Sequence, residues 1–182
     1  MKLETAAARI DSVDDIKVLL DDCNLLVVCE DEPAVRIFEL ANAASLQKKV
    51  TWLGVNLFGV QGTIGPMVTP GETPCYQCYK LRERSNAVHL NEYVSFEEYL
   101  RRNPNHNVRQ GSLRLFEGVV GSLAALEVIY ALTNLADPRS LGNLLALDLF
   151  DLQLESHPIL RIPRCPACST TKDRPKRKVY DI

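Results

Sequence analysis

Apolar residues recur at two different spacings along the first sixty residues, and these spacings predict helices and strands in alternation. Residues 25–29 (LLVVC) are a continuous apolar run, typical of a strand buried on both faces of a parallel sheet. Residues 34–49 carry apolar side chains at helical spacing and end in lysines, which suit the C-terminus of a helix. With a short capped helix at 12–22 and a second strand at 50–59, the order predicts a βαβ unit and an α/β fold.

The middle of the chain is rich in turn-forming residues. Residues 65–78 alternate strand-like side chains with proline and glycine. Residues 80–110 are polar, and we expect an irregular segment there that contains one helix at 95–102, where Ser95 and Glu98 form a capping-box pattern. This segment is a candidate for contact with a partner.

The last third of the chain predicts a long helix followed by two strands. Residues 111–135 are apolar and include small residues that allow close packing against a sheet or another helix, namely Gly118, Gly121, Ser122 and Ala125. Glu127 interrupts the apolar pattern, and we expect it on an exposed face. Residues 143–150 and 155–162 predict two paired strands.

Composition and charge exclude several classes of protein. The 182 residues suffice for one domain with a core, and the net charge of −2 gives no reason to expect binding to nucleic acid or to a membrane. The N-terminus lacks the apolar core of a signal peptide, and no apolar run approaches the roughly 18 residues of a membrane helix, so we expect a cytoplasmic protein. We assign residues 1–170 to one α/β domain and residues 171–182 to a flexible basic tail, which either stays solvated or contacts a partner.

Four of the six cysteines form two Cys-x-x-Cys pairs, Cys75 with Cys78 and Cys165 with Cys168. Each pair lies beside proline and polar residues, which favour a tight turn that directs both sulfurs to one point. Two such pairs predict a closed, tetrahedral zinc site that stabilises the fold and leaves no coordination position for catalysis. Disulfide or redox chemistry and another metal are the alternatives.

The other residues with catalytic or metal-binding chemistry form no recognisable constellation. Cys23 and Cys29 lie in or beside an apolar run, and we expect them to be buried hydrophobic residues rather than nucleophiles. His89, His106 and His157 are scattered and match no Ser/His/Asp or Cys/His arrangement. His157 would join the metal only if one of the four thiolates did not.

Taken in this order, the segments resemble the ThiF/MoeB-like superfamily of ubiquitin-activating-type adenylation domains. The resemblance rests on the acidic turn 29–32 with Arg36 further along, on the two cysteine pairs, and on the helix 119–129 (VVGSLAALEVI) between them. Within the superfamily, residues 65–78 and 157–169 look most like the ThiF-like component of azoline-forming peptide cyclodehydratases. The resemblance implies the C-terminal half of a Rossmann-like adenylation domain with a four-cysteine zinc site.

The chain departs from the family pattern where that pattern carries catalysis. An adenylating member needs a glycine-rich strand–turn–helix to hold phosphate, but the sequence has no Gly-x-Gly-x-x-Gly and no glycine before Gly54. We therefore expect the N-terminal nucleotide-binding unit to be absent and Asp31 to be a helix cap or a remnant nucleotide ligand. Thioester formation needs a nucleophilic cysteine, and none lies between Cys78 and Cys165.

The resemblance also implies partners. Cyclodehydratase relatives work beside a YcaO-type protein, which uses ATP to form thiazoline or oxazoline rings in a ribosomally made precursor peptide, as in bacteriocin biosynthesis and other RiPP pathways. We predict a zinc-stabilised, non-catalytic scaffold subunit that presents the precursor to that partner. The alternative is half of a split ATP-dependent adenylyltransferase that activates the C-terminus of a peptide or sulfur carrier. Half of a doubly wound sheet exposes an edge and an apolar face, so we also expect a homodimer or a complementing chain.

Overall fold

The computed structural model describes residues 3–30, 35–103 and 113–169, which form a mixed α/β fold with a single sheet. In chain order the elements are α1 (Val13–Leu19), β1 (Leu25–Glu30), α2 (Val35–Lys48), β2 (Thr51–Phe58), β3 (Gln61–Ile64), α3 (Tyr76–Asn86), α4 (Leu90–Arg102), α5 (Arg114–Thr133), β4 (Asn143–Asp148) and β5 (Gln153–Pro158). The α/β class predicted from the hydrophobic pattern is confirmed.

The five described strands lie in the sheet in sequence order, from β1 to β5. β1 and β2 are parallel, with Leu25 opposite Thr51, whereas all later pairs are antiparallel. The βαβ unit and the pairing of the last two strands are therefore as predicted. β3 is not predicted by the sequence pattern, because its four residues are too few to show an alternation of apolar and polar side chains.

Helices cover both faces of the sheet and enclose two hydrophobic cores. α1 and α2 pack on the face to which Leu26 and Val28 of β1 point, around the buried rings of Phe38 and Trp52. α5 packs on the opposite face against β2 and β3, around a second cluster of buried residues from α5 and strands β2 to β4. Three of the four paired cysteines belong to the first core and Cys168 packs against it, so the cysteine cluster is part of that core.

β1 is an edge strand of the described sheet, and this corrects the expectation of a strand buried on both faces. Its residues are half-buried or exposed, and Val27 is 38% exposed. Cys23 and Cys29 are both exposed, so the prediction that they are buried hydrophobic residues is wrong. The physical reason is that no described strand or helix covers the outer edge of β1 or the face that carries Cys29.

The described part of the segment after the first cysteine pair, up to residue 103, is mostly helical rather than irregular, and residues 104–110 lie outside the described residues. α3 and α4 together occupy most of residues 76–102, and the predicted helix at 95–102 is the second half of α4. The polar composition of this segment arises from ion pairs between α2, α3 and α4 rather than from solvated loops. The sequence pattern did not predict these helices because their charged side chains pair with each other inside the protein, so the apolar stripe that marks a helix is weak.

The predicted long helix is confirmed as α5, but Glu127 is buried against the sheet rather than exposed. Its carboxylate accepts hydrogen bonds from the backbone N–H and the hydroxyl of Ser140, at 2.7 and 2.6 Å. By length and composition alone α5 could cross a membrane, contrary to the expectation from the sequence, although core helices of soluble proteins pass the same test. Only 17% of its most apolar window is buried.

Candidate metal centre

The first cysteine pair lies at the start of α3. Cys75 is the N-cap residue of this helix with an extended backbone, and its carbonyl accepts hydrogen bonds from the N–H groups of Cys78 and Tyr79. The preceding turn is fixed locally, because Thr73 Oγ1 accepts a bond of 2.9 Å from the N–H of Thr69. One helical turn therefore brings both thiols to the same side of the N-terminus of α3, where the helix dipole favours negative charge.

The second pair lies in a turn after β5. Its sulfurs contact those of the first pair, and hydrogen bonds from neighbouring residues join the two turns. Arg161 donates to the carbonyls of Gly71 and Thr73, at 3.0 and 2.7 Å. Arg82 of α3 donates to the carbonyl of Leu160 at 2.8 Å. The N–H of Ile162 points at Cys78 Sγ, 3.4 Å away. These contacts align the two turns.

The four sulfurs converge on one point. Cys75 Sγ lies 3.9 Å from Cys78 Sγ and 3.6 Å from Cys165 Sγ, and Cys78 Sγ lies 3.6 Å from Cys168 Sγ. All four lie within 4.8 Å of one another. A tetrahedral ion with metal–sulfur bonds of about 2.3 Å requires sulfur–sulfur distances of about 3.8 Å, so the cluster fits such an ion. The predicted convergence of the two cysteine pairs is thus present in the structure.

Burial makes this cluster unsuitable for four free thiolates. Desolvation raises the pKa of Cys75 far above its ordinary value and raises the pKa of Cys168 to about 11. Burial also opposes ionisation of Cys165, but hydrogen bonds from the backbone N–H groups of Cys168 and Ala167 and from the thiols of Cys78 and Cys75 together outweigh it and lower the pKa of that thiol. A bound cation reverses this balance, because a coordinating thiol is deprotonated outright.

The remaining sequence candidates do not join the cluster. His157 is exposed on β5 and pairs with Glu155 at 3.2 Å, and His89 is the exposed N-cap residue of α4. Arg36 donates to the carbonyl of Asp11 at 2.6 Å. Asp31 and His106 lie outside the described residues.

A second polar cluster, which the sequence analysis missed, lies between α2, α3 and α4. Lys80 and Glu97 are buried and form an ion pair of 2.8 Å, and Glu97 also accepts hydrogen bonds from Arg84 and Tyr93. The cluster lines a cavity of about 260 Å³ together with aromatic side chains of α3 and α4. Its sequence signal is the position of Lys80 and Arg84 one helical turn apart in α3, at 17 and 13 residues before Glu97 in α4, which becomes meaningful once both segments are known to be helices.

The chain belongs to the ThiF family. The model of that family matches residues 1–169, which contain every element of the fold and all four paired cysteines. The resemblance drawn from the sequence is thereby confirmed.

The chain is similar to several individual proteins in sequence or in fold. It is 25% identical over 154 residues to the molybdopterin-synthase adenylyltransferase of Escherichia coli K12, a match that covers 85% of the chain and 54% of that relative. A solved structure of Escherichia coli MccB shares its fold with a TM-score of 0.69 at 20% identity, covering 91% of the chain and 44% of MccB. The heterocyclase TruD gives a TM-score of 0.63 at 24% identity, covering 81% of the chain and 22% of TruD. The chain thus spans about half the length of the curated relatives it matches.

Proposed function

We propose that Cys75, Cys78, Cys165 and Cys168 bind one zinc ion that stabilises the fold. Four thiolates at tetrahedral spacing are the donor set of structural zinc sites and leave no open position for a substrate. A bound ion would supply cohesion between the N-terminus of α3 and the turn 162–169, because metal binding and folding are coupled.

The function that we infer for the whole chain is that of a non-catalytic scaffold subunit in a ribosomal-peptide cyclodehydratase. It would present a precursor peptide to a YcaO-type partner in the cytoplasm, where ATP is available and thiols stay reduced. The observation that carries this proposal is the closed four-cysteine cluster, whose donor set leaves no open position for a substrate. The fold shared with the heterocyclase TruD and with MccB, which was solved in complex with N-formylated MccA, supports a role in peptide modification.

Reconstitution tests this function directly. The chain, a YcaO-type protein encoded beside it, a candidate precursor peptide and ATP are combined, and the loss of one water per ring is followed by mass spectrometry. We expect ring formation to require both proteins and to be unaffected by Asp31→Ala. Ring formation by the YcaO-type protein at the same rate without the chain would contradict the proposal.

One observation favours a second candidate, half of a split adenylyltransferase. The curated relatives at 25–26% identity are adenylyltransferases, and Asp31 and Arg36 would then approach ATP. ATP–pyrophosphate exchange in the presence of a complementing chain, lost in Asp31→Ala and kept in the exposed control Asp151→Ala, would establish this function. Absence of exchange with every polypeptide encoded beside the chain would exclude it.

A further inference from the structure

The cavity between α2, α3, α4 and the sheet is too large to be a packing defect. Its volume is about 260 Å³, and it shares Phe38 and Tyr76 with the first core. Protein interiors are packed as densely as organic crystals, and voids larger than a water molecule are few. Phe96 of α4 lines the cavity and is 46% exposed, so the cavity opens to solvent beside α4. A void of this size with an entrance is a candidate binding site.

Aromatic rings dominate the lining of the cavity. The ring centroid of Tyr76 lies 5.7 Å from that of Phe38 and 5.7 Å from that of Tyr79. Tyr93 and Phe96 of α4 complete the aromatic lining. Aromatic pairs favour centroid distances of about 4.5–7 Å. A further ring that enters the cavity would therefore extend a series of rings that already contact each other.

The charged groups in the wall of the cavity satisfy one another. Lys80 donates to Glu83, to Glu97 and to the hydroxyl of Tyr93, and these bonds use all three of its N–H groups. Glu83 also accepts from the hydroxyl of Tyr93 at 2.6 Å, and Glu97 accepts from Arg84 at 2.8 Å. A charged ligand would lose its hydration here without gaining a counter-charge. The cavity therefore favours a neutral ligand.

One buried polar side chain in the wall is unpaired. Tyr76 is only 8% exposed, and its backbone N–H donates to Asn42 Oδ1 at 3.0 Å. Its phenol, in contrast, forms no hydrogen bond with any residue in the described part of the chain. A buried hydroxyl without a partner costs free energy, and native proteins pair most such groups. Because a phenol both donates and accepts, a ligand with a hydroxyl or an N–H group would supply the missing partner.

We infer that this cavity binds a neutral aromatic side chain of a peptide, a tyrosine or a tryptophan, whose hydroxyl or indole N–H bonds to the phenol of Tyr76. The volume lies below the roughly 300–1,000 Å³ of sites for whole small molecules, and it suits one side chain of a larger ligand. Tyr99, one helical turn from Phe96 and 42% exposed, is available to the rest of that ligand. The choice of a peptide rests on the proposed presentation of a precursor, whereas the choice of a neutral aromatic group rests on the cavity alone.

Titration with single-residue probes tests the site. The isotope-labelled, zinc-loaded chain is titrated with N-acetyl-tyrosinamide, and the shifts of its backbone amides are followed by NMR. We expect shifts confined to residues around the cavity, and weaker binding of N-acetyl-phenylalaninamide, which lacks the hydroxyl. N-acetyl-leucinamide and N-acetyl-lysinamide are the aliphatic and charged controls and should not bind. Free tyrosine should bind more weakly than the amide, because its ammonium and carboxylate groups find no counter-charge.

Substitutions separate the hydrogen bond from the shape of the cavity. Tyr76→Phe keeps the ring, and we expect it to weaken binding of N-acetyl-tyrosinamide about fivefold, the effect of one hydrogen bond, while N-acetyl-phenylalaninamide binds as before. Its zinc content should be unchanged and its melting temperature should not fall, because no described residue loses a partner. Leu144→Trp fills the cavity from β4 and should abolish binding of both probes. Tyr130→Phe, on α5 and outside the cavity, is the matched control and should change neither affinity.

Several outcomes would overturn the inference. They are shifts that map away from the cavity, equal binding of the leucine or lysine probe, tighter binding of free tyrosine, and no shift with any probe. An equal loss of both aromatic probes in Tyr76→Phe would likewise contradict the hydrogen bond on which the inference depends. Failure of ring formation in the reconstitution would contradict the proposed function but leave the probe titration unchanged, so the two failures are distinguishable.

Discussion

At the scale of single residues, the four paired cysteines form one cluster, whereas Cys23 and Cys29 lie outside it. Replacing Cys78 by serine removes one of four donors from a buried cluster, and we expect loss of zinc and a strongly lowered melting temperature, because metal binding contributes free energy to folding. Zinc content by mass spectrometry and thermal unfolding measure the two effects. The same result is expected at Cys75, Cys165 and Cys168.

Cys23→Ser is the matched control for these variants, since its thiol is exposed and lies outside the cluster. We expect one zinc per chain and a change in unfolding free energy within about 0.5 kcal/mol, as for most surface substitutions. A reduced zinc content in this control, or a full zinc complement in Cys78→Ser, would refute the assignment of ligands.

Glu127 makes a second residue-scale prediction. Glu127→Leu leaves the buried N–H and hydroxyl of Ser140 without an acceptor, so we expect a loss of about 2 kcal/mol in the free energy of unfolding. Ser140→Ala removes the hydroxyl alone and should cost less. Chemical denaturation of both single variants and the double variant measures their coupling, and additive effects would show that the two residues do not interact.

At the scale of elements, substitutions at two glycines test how α5 packs on the sheet. A Cβ at Gly62 of β3 would lie 2.5 Å from Val120 of α5, so Gly62→Ala forces the helix away from the sheet and should destabilise the chain by about 1–3 kcal/mol. Gly118→Ala meets nothing within 4 Å and should stabilise the isolated chain by about 0.5–1 kcal/mol. Denaturant titration compares the two, and effects of equal sign would contradict this packing.

The contact between α3 and α4 depends on pH through Glu97. Burial opposes ionisation of its carboxyl, but hydrogen bonds from Lys80 and Arg84 prevail, and the pKa of Glu97 lies below its ordinary value. A lowered pKa in the folded state contributes stability above the pKa of the unfolded glutamate, and this stability is lost as pH falls through the folded pKa.

We therefore expect Glu97→Gln to destabilise the chain at neutral pH, by about 3 kcal/mol, because Lys80 then lacks part of its counter-charge in a buried place. The difference from the unsubstituted chain should shrink as the solution becomes acidic. Thermal unfolding across this pH range measures it, with the exposed Glu98→Gln as control. A difference that is independent of pH would exclude the ionised Glu97 as its source.

The elements with strong local patterns are those that the sequence predicts well. α2, β2 and α5 follow from apolar spacing, and the cysteine pairs predict their own convergence because each needs one turn of chain. The failures involve contacts that are distant in sequence. Glu127 is buried because Ser140 meets it, and Val27 is exposed because no described element covers its face of β1, and neither fact is visible in a local pattern.

At the scale of the whole molecule, the same distinction separates the cysteine cluster from the exposed edge of β1. The donor chemistry of the cluster is contained in two short motifs, whereas the exposure of β1 follows from its place at the edge of the described sheet. The polar cluster around Lys80 and Glu97 likewise joins three helices that the sequence does not associate. Residue types thus predict what a site can bind, whereas the arrangement of the elements determines which surfaces are exposed.

The separation of Cys75 and Cys165 by 90 positions in the sequence sets the order in which the molecule can be made. During synthesis on the ribosome, the first pair emerges while its two partners have not yet been translated, and no four-thiolate cage exists. Because Arg161 and Arg82 align the two turns, the cage forms when the 162–169 turn docks on α3. If the cluster binds zinc as proposed, the ion is acquired late, and a zinc-loaded chain is one in which α3 and the 162–169 turn have already come together.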